Sequence, residues 1–232
     1  MAHPAAGPEA ALWCRERRAE DVLVLAAPRH AAAASAVATL VAAHTPGTAA
    51  TAVIHPSNPL TLLACAASAA ENVSTGSLLV DRLRAHLNAS VGGVLPSRTW
   101  GLTDPRPNLI QRVKGLFGHR YVVLTTPRPH LIDVDGARAD FPAGGTLILA
   151  GNAGSDIAKA FVGLLPATDF PVLPVAADVP SAHGVSGLEF TILGTPAPLP
   201  TTWLRCPTCQ GQLFGYWCPL CHVRASHQEH AA

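Results

Sequence analysis

The chain has 232 residues, of which 49% are hydrophobic, 13% charged and only 5% aromatic. It can therefore bury one medium core with a small appendage, built largely from Leu, Val and Ala, and it is not a disordered chain. The formal net charge of +1 excludes a surface that coats nucleic acid or membrane as a whole, so any such binding must be local.

Residues 1–18 read as a loosely held N-terminal arm, with Trp13 suited to dock part of it. Cys14 lies near Arg15, Arg17 and Arg18, which could activate a thiol, but no base stands beside it. Met1-Ala2-His3-Pro4 shows no basic segment leading into an apolar core. The apolar runs Val22–Ala27 and Ala31–Ala43 are split by Pro28-Arg29-His30 and are too short to span a bilayer. A cytoplasmic protein with no membrane partner is expected. In that compartment the six cysteines are not a disulfide framework.

Val22-Leu23-Val24-Leu25 predicts a strand buried on both faces, ended by Pro28 and followed by an alanine-rich helix over 31–43. Thr51–His55 predicts a second strand. Asn58-Pro59 opens a helix to about Glu71, because Asn caps free amides and Pro is pre-set for a first turn. Within it Cys65 sits among Leu and Ala, where a buried thiol packs as a small hydrophobe. A further helix presents Leu79, Val80, Leu83 and Leu87 on one side. From Ala89 to Pro107 the glycines and prolines predict a long loop. Asn108 then caps a short helix with a Leu109, Ile110, Val113, Leu116, Phe117 stripe. Strands follow at 121–124 and 146–149, with a hairpin of 131–134 and 137–141 turning at Asp135-Gly136 between them. Gly151–Ser155 leads into a helix over 156–165 and could receive an anion on its amides, though it carries no Lys and no Walker spacing. Pro174 confines a strand at 172–175 to a sheet edge, and 188–193 is the last strand. The order predicts an α/β or α+β domain with a mixed sheet.

Beyond the stiff Pro196-Ala197-Pro198-Leu199-Pro200 spacer come two hooks, Cys206-Pro207-Thr208-Cys209 and Cys218-Pro219-Leu220-Cys221. Four thiolates at this spacing are the ligand set of a tetrahedral zinc ion. The hooks resemble the knuckles of the zinc-ribbon class over about residues 205–222, with Gln210 and His222 where that class commonly has Gly. The resemblance implies Zn2+ held by Cys206, Cys209, Cys218 and Cys221, structural rather than catalytic because a closed shell leaves no open position. A four-thiolate set also admits iron, and Cys218–His222 also fits the haem-attachment pattern. The expected divisions are an arm at 1–18, an α/β domain at 19–195, a linker at 196–204, the zinc ribbon at 205–224 and a tail at 225–232.

Two further patterns bear on function. Between Arg98 and Arg128 six basic residues face one acid, Asp104. Arg106, Arg112, Lys114 and Arg120 are thus candidate nucleic-acid contacts, against the alternative of solvated or mutually paired faces. Asp133-Val134-Asp135 loosely resembles the metal-binding pair of archaeo-eukaryotic primases, with His183 of Ser181-Ala182-His183 downstream and Glu189 the only third acid in view. Asp135-Gly136 is equally a hairpin turn. The expectation is a non-catalytic zinc-ribbon adaptor that meets a protein partner through its ribbon, in a nucleic-acid-associated complex. The alternative is a metal-dependent nucleotidyl-transfer or phosphodiester enzyme using Asp133 and Asp135.

Overall fold

The computed structural model describes residues 6–71, 76–103, 105–125, 129–133, 141–142, 144–150, 156–163, 165, 172–175, 187–201 and 203–225. The fold is mixed α/β. It forms two compact units, one of Met1–His55, Ala67–Ala85 and Ala197–Ala232, the other of Pro56–Ala66 and His86–Pro196. Residues 19–195, expected as one domain, are shared between them. Among the described residues no helix is long and apolar enough to cross a membrane.

The first unit is built on two parallel strands, β1 (Asp21–Ala26) and β2 (Ala49–Ile54). They are joined by a short turn of helix at Pro28–His30 and by α2 (Ala31–His44), a β-α-β crossover. The N-terminal stretch is not a loose arm. It forms α1 (Ala6–Arg17), whose Ala11 and Cys14 are buried against Val41 of α2, with Val22 and Ala50 of the strands in the same cluster. Small side chains at 10, 11 and 14 let the helix approach closely, and with its large apolar residues Leu12 and Trp13 exposed, the stretch shows no apolar stripe that marks the buried face. Trp13 does not dock; it is exposed and carries the Arg17 guanidinium 4.3 Å above its ring. Cys14 is 2% exposed, which removes it as a reactive thiol.

Helices α3 (Pro59–Ala70) and α4 (Gly76–Ala89) follow β2. The Gly76 N–H donates to Asp21 Oδ2 at 2.9 Å, so an acid at the head of β1 meets the first turn of α4, where the helix dipole favours it. Val80, Leu83 and Leu87 are buried at helical spacing as expected.

The second unit holds a six-stranded sheet in the order β5-β4-β3-β8-β6-β7. Its strands are β3 (Val91–Pro96), β4 (Tyr121–Leu124), β5 (His130–Asp133), β6 (Thr146–Ala150), β7 (Val172–Val175) and β8 (Gly187–Leu193). Helix α5 (Leu109–Leu116), capped by Asn108, stands in the chain between β3 and β4. Among the described pairings of this sheet only β6 and β7 run parallel, joined through α6 (Asp156–Val162). β7 ends the sheet, as Pro174 requires.

The stretch expected to be loop at 89–107 contains β3, which pairs with both β4 and β8 near the middle of the sheet. Its glycines hid it, and tertiary packing explains them. A β-carbon on Gly92 would strike the Thr61 hydroxyl, and one on Gly93 would lie 2.5 Å from the Val123 carbonyl oxygen. The first arm of the expected hairpin forms β5, which lies antiparallel to β4; the turn at Asp135-Gly136 and most of its return lie outside the described residues. Leu188, Phe190 and Ile192 alternate into the main core with Leu147, Leu149 and Phe161. Phe161 and Phe190 stack at 4.6 Å between ring centroids, with Phe141 edge-on to both.

Candidate metal centre and ligand cavity

The C-terminal hooks fold as two repeats of one turn. Cys206 N–H donates to the Gly211 carbonyl at 3.0 Å and Cys218 N–H to that of Val223 at 2.9 Å. In each, the residue after the second cysteine donates back to the first: Gln210 to Cys206 O and His222 to Cys218 O, both at 3.0 Å. That closure requires a left-handed backbone, and Gln210 and His222 adopt it with φ of 59° and 55°. These are the positions where glycine is common, so the two residues hold a glycine conformation at some cost. Two-residue strands β9 (Leu204–Arg205) and β10 (Gln212–Leu213) pair antiparallel beside the first hook.

Each turn aims amides at sulfur. Thr208 and Cys209 N–H point at Cys206 Sγ at 3.4 and 3.5 Å, and Cys221 N–H at Cys218 Sγ at 3.4 Å. Burial opposes ionisation of Cys206, but the Cys209 and Thr208 amides and the neighbouring thiols bring it down to about 7. Burial, and then the crowding of Cys209 and Cys218, pushes Cys221 up. Four thiols this close cannot all ionise without a cation among them. All four sulfurs lie within 4.8 Å of one another, and Cys209 Sγ is 3.8 Å from Cys218 Sγ. A tetrahedral zinc ion with Zn–S bonds of about 2.3 Å places its sulfurs about 3.8 Å apart, so the donor set fits the ion in both number and spacing. No cysteine is in a disulfide.

Within the second unit a cavity of about 330 Å³ is walled by the buried side chains of Leu95, Tyr121 and Phe161, with exposed Arg98, His119 and Arg120 also lining it. Among its described lining residues there is no carboxylate. It thus joins an apolar wall to a cationic edge, an arrangement suited to an anionic head on a hydrocarbon body. The sequence marked Arg120 as basic; the convergence of Arg98 and Arg120 on one cavity depends on β3 and β4 being neighbours, which no local pattern shows.

Asp133 and Glu189 do not converge. Asp133 ends edge strand β5, partly exposed, with an oxygen 4.0 Å from His119 Nδ1. Glu189 is 2% exposed in the middle of the sheet. Three strand spacings separate the two, on the order of 14 Å, against the few ångströms a shared ion requires. Asp135 and His183 lie outside the described residues, as does the Gly151–Ser155 loop.

Glu189 was missed as a residue of interest in its own right. It shares its sheet face with Thr191, whose hydroxyl lies 2.6 Å from that of Thr61. Thr61 in turn donates to Asn58 Oδ1 through its amide at 2.8 Å and its hydroxyl at 2.5 Å. The Asn58 amide donates to the carbonyls of Gly93 and Phe190 at 2.9 and 3.3 Å. Beside this satisfied network neither Glu189 oxygen has a well-formed hydrogen bond among the described residues. Burial raises its carboxyl to about 7, opposed by the nearby Leu60 amide.

Arg106 and Lys114 are exposed, Arg112 lies 5.6 Å above the Trp100 ring, and Arg120 lines the cavity. In the ribbon, Arg205 stacks on Trp203 at 5.3 Å, and Leu213, Leu220 and Ala225 pack with Leu23 and Ala49 of the ribbon's own unit.

No protein-family model and no curated protein matches the sequence. Solved structures do share the fold. The chain is similar to the DegV family protein Cg2579 from Corynebacterium glutamicum, at 16% identity and a TM-score of 0.54, covering 83% of this chain and 81% of that one. It is similar to the Streptococcus pneumoniae Fatty Acid Kinase (Fak) B3 protein loaded with linoleic acid, at 14% identity and 0.54, covering 82% and 76%. A DegV family protein from Eubacterium eligens loaded with heptadecanoic acid gives 12% identity and 0.58, covering 82% and 78%. The likeness is one of fold. The findings run against the nucleic-acid adaptor, its protein partner through the hooks, and the nucleotidyl-transfer alternative: two of these neighbours are loaded with fatty acids, the apolar face of the hook segment packs within its own unit, and Asp133 and Glu189 stand on separate strands.

Proposed function

We propose that the chain is a cytoplasmic binding protein for a long-chain carboxylate, with a structural Zn2+ held by Cys206, Cys209, Cys218 and Cys221 of a C-terminal zinc ribbon. The cavity in the second unit carries the first half of this reading. Its volume of about 330 Å³ falls in the range of roughly 300–1,000 Å³ usual for ligand pockets. Leu95, Tyr121 and Phe161 offer an apolar wall to the chain, and Arg98 and Arg120 offer charge-assisted hydrogen bonds to a carboxylate. Neighbours of the same fold loaded with linoleic and heptadecanoic acid support it. The sulfur spacing supports the zinc half, and reduced cytoplasmic thiols keep such a site competent for metal.

The test is equilibrium binding of palmitate to delipidated protein and to an Arg98→Ala/Arg120→Ala variant. Saturable micromolar binding, weakened at least tenfold in the variant, is expected. An absence of saturable binding by the native protein overturns the lipid reading.

A further inference from the structure

We propose that the metal-bound ribbon is the second covering layer of the β1–β2 sheet, so that metal occupancy sets the folding of the first unit. This rests on the zinc reading above. Parallel strands are found almost only in sheets covered on both faces, and a two-stranded sheet does not persist alone in water. The register pairs Asp21 with Ala49, Val22 with Ala50 and Leu23 with Thr51. Side chains alternate, so Val22 and Ala50 project to one face and Leu23 and Ala49 to the other. The first face is covered by Ala11, Cys14 and Val41 of α1 and α2. The second meets Leu213, Leu220 and Ala225 of the ribbon.

The same cluster contains Cys206 and Cys218, both 0% exposed. The sulfur donors and the apolar layer over the sheet are therefore one interior. A module whose strands are two residues long buries too little to hold its shape unaided, and metal binding supplies its folding free energy. Losing the metal dissolves the layer and uncovers Leu23 and Ala49.

Two contacts fix the ribbon on its own unit. The Phe214 N–H donates to the Asp81 carboxylate of α4. Gly211 lies against α4 so closely that a β-carbon there would stand 2.5 Å from the buried Ser77 hydroxyl. Asp81 lies on α4 and outside the hooks, and is thus a handle on docking that does not bear on the sulfurs.

The experiment is amide hydrogen exchange on the full-length protein, zinc-loaded and after chelation, with zinc content measured alongside. Exchange at 23–25 and 51–53 should accelerate at least tenfold on zinc loss while 147–149 and 190–192 keep their protection. An Asp81→Lys variant, which removes the acceptor of the Phe214 N–H without touching the hooks, should bind about one equivalent of zinc yet show the same selective acceleration. Unchanged protection of β1 and β2 after proven zinc loss overturns the proposal and leaves the zinc reading standing, as does full protection in zinc-loaded Asp81→Lys. Equal acceleration in both sheets also overturns it. A protein that takes up no zinc overturns both.

Discussion

Cys209 and Cys218, drawn from different hooks, hold their sulfurs 3.8 Å apart, nearly twice the length of a disulfide bond and equal to an edge of a zinc–sulfur tetrahedron. The N–H groups aimed at Cys206 and Cys218 stabilise thiolate, and a divalent cation among the four sulfurs would offset their repulsion.

Removing one ligand from each hook tests this. A Cys206→Ser/Cys218→Ser variant should fall from about one equivalent of zinc to less than about 0.1, measured by atomic emission on the purified protein. Native protein that is folded but carries under about half an equivalent of zinc or iron contradicts the site.

Glu189 predicts a pH dependence whose sign follows from burial. Its carboxyl stands at about 7 in the folded chain, against an ordinary value of 4.5. The folded state holds the proton more tightly, so this residue's stabilising protonated form is fully present below pH 4.5 and is lost as pH rises to about 7. A Glu189→Gln variant keeps the neutral shape and cannot ionise. Thermal melts should show it a few degrees above native at pH 8 and level with native near pH 4.5. A variant less stable than native at pH 8 would mean the ionised carboxylate is held by a favourable partner.

The two glycines of β3 should differ in their tolerance of a methyl group. At Gly93 the obstruction includes the Val123 backbone carbonyl, which is part of the ladder and cannot turn away. Gly93→Ala should cost about 2–3 kcal/mol or more by urea melt. At Gly92 the obstruction is the Thr61 hydroxyl, so Gly92→Ala combined with Thr61→Ala should recover part of the loss. No recovery in the double variant would sever the link between β3 and α3.

Much of this fold could be read locally. The run 22–25, the Asn58-Pro59 opening of α3, the edge placement of Pro174 and the paired hooks all follow from short-range chemistry. What escaped was set by distant partners. β3 looks like a loop until Thr61 and Val123 explain its glycines. α1 looks like an arm because its buried contacts are made by small residues, Ala11 and Cys14, while Leu12 and Trp13 are exposed. The charges at Arg98 and Arg120 were plain in the sequence; the apolar wall they join is built from β3, β4 and α6, which only the sheet order brings together. Asp133 and Glu189 seemed candidates for one site because sequence spacing says nothing of the strands between them.

The central claim is that the chain carries a long-chain carboxylate. Native mass spectrometry of the purified protein, before and after incubation with palmitate, tests it most directly. One fatty acid bound per chain, lost or sharply reduced in Arg98→Ala/Arg120→Ala, is the predicted result. A protein that emerges free of fatty acid and takes up none from a molar excess of palmitate would contradict it.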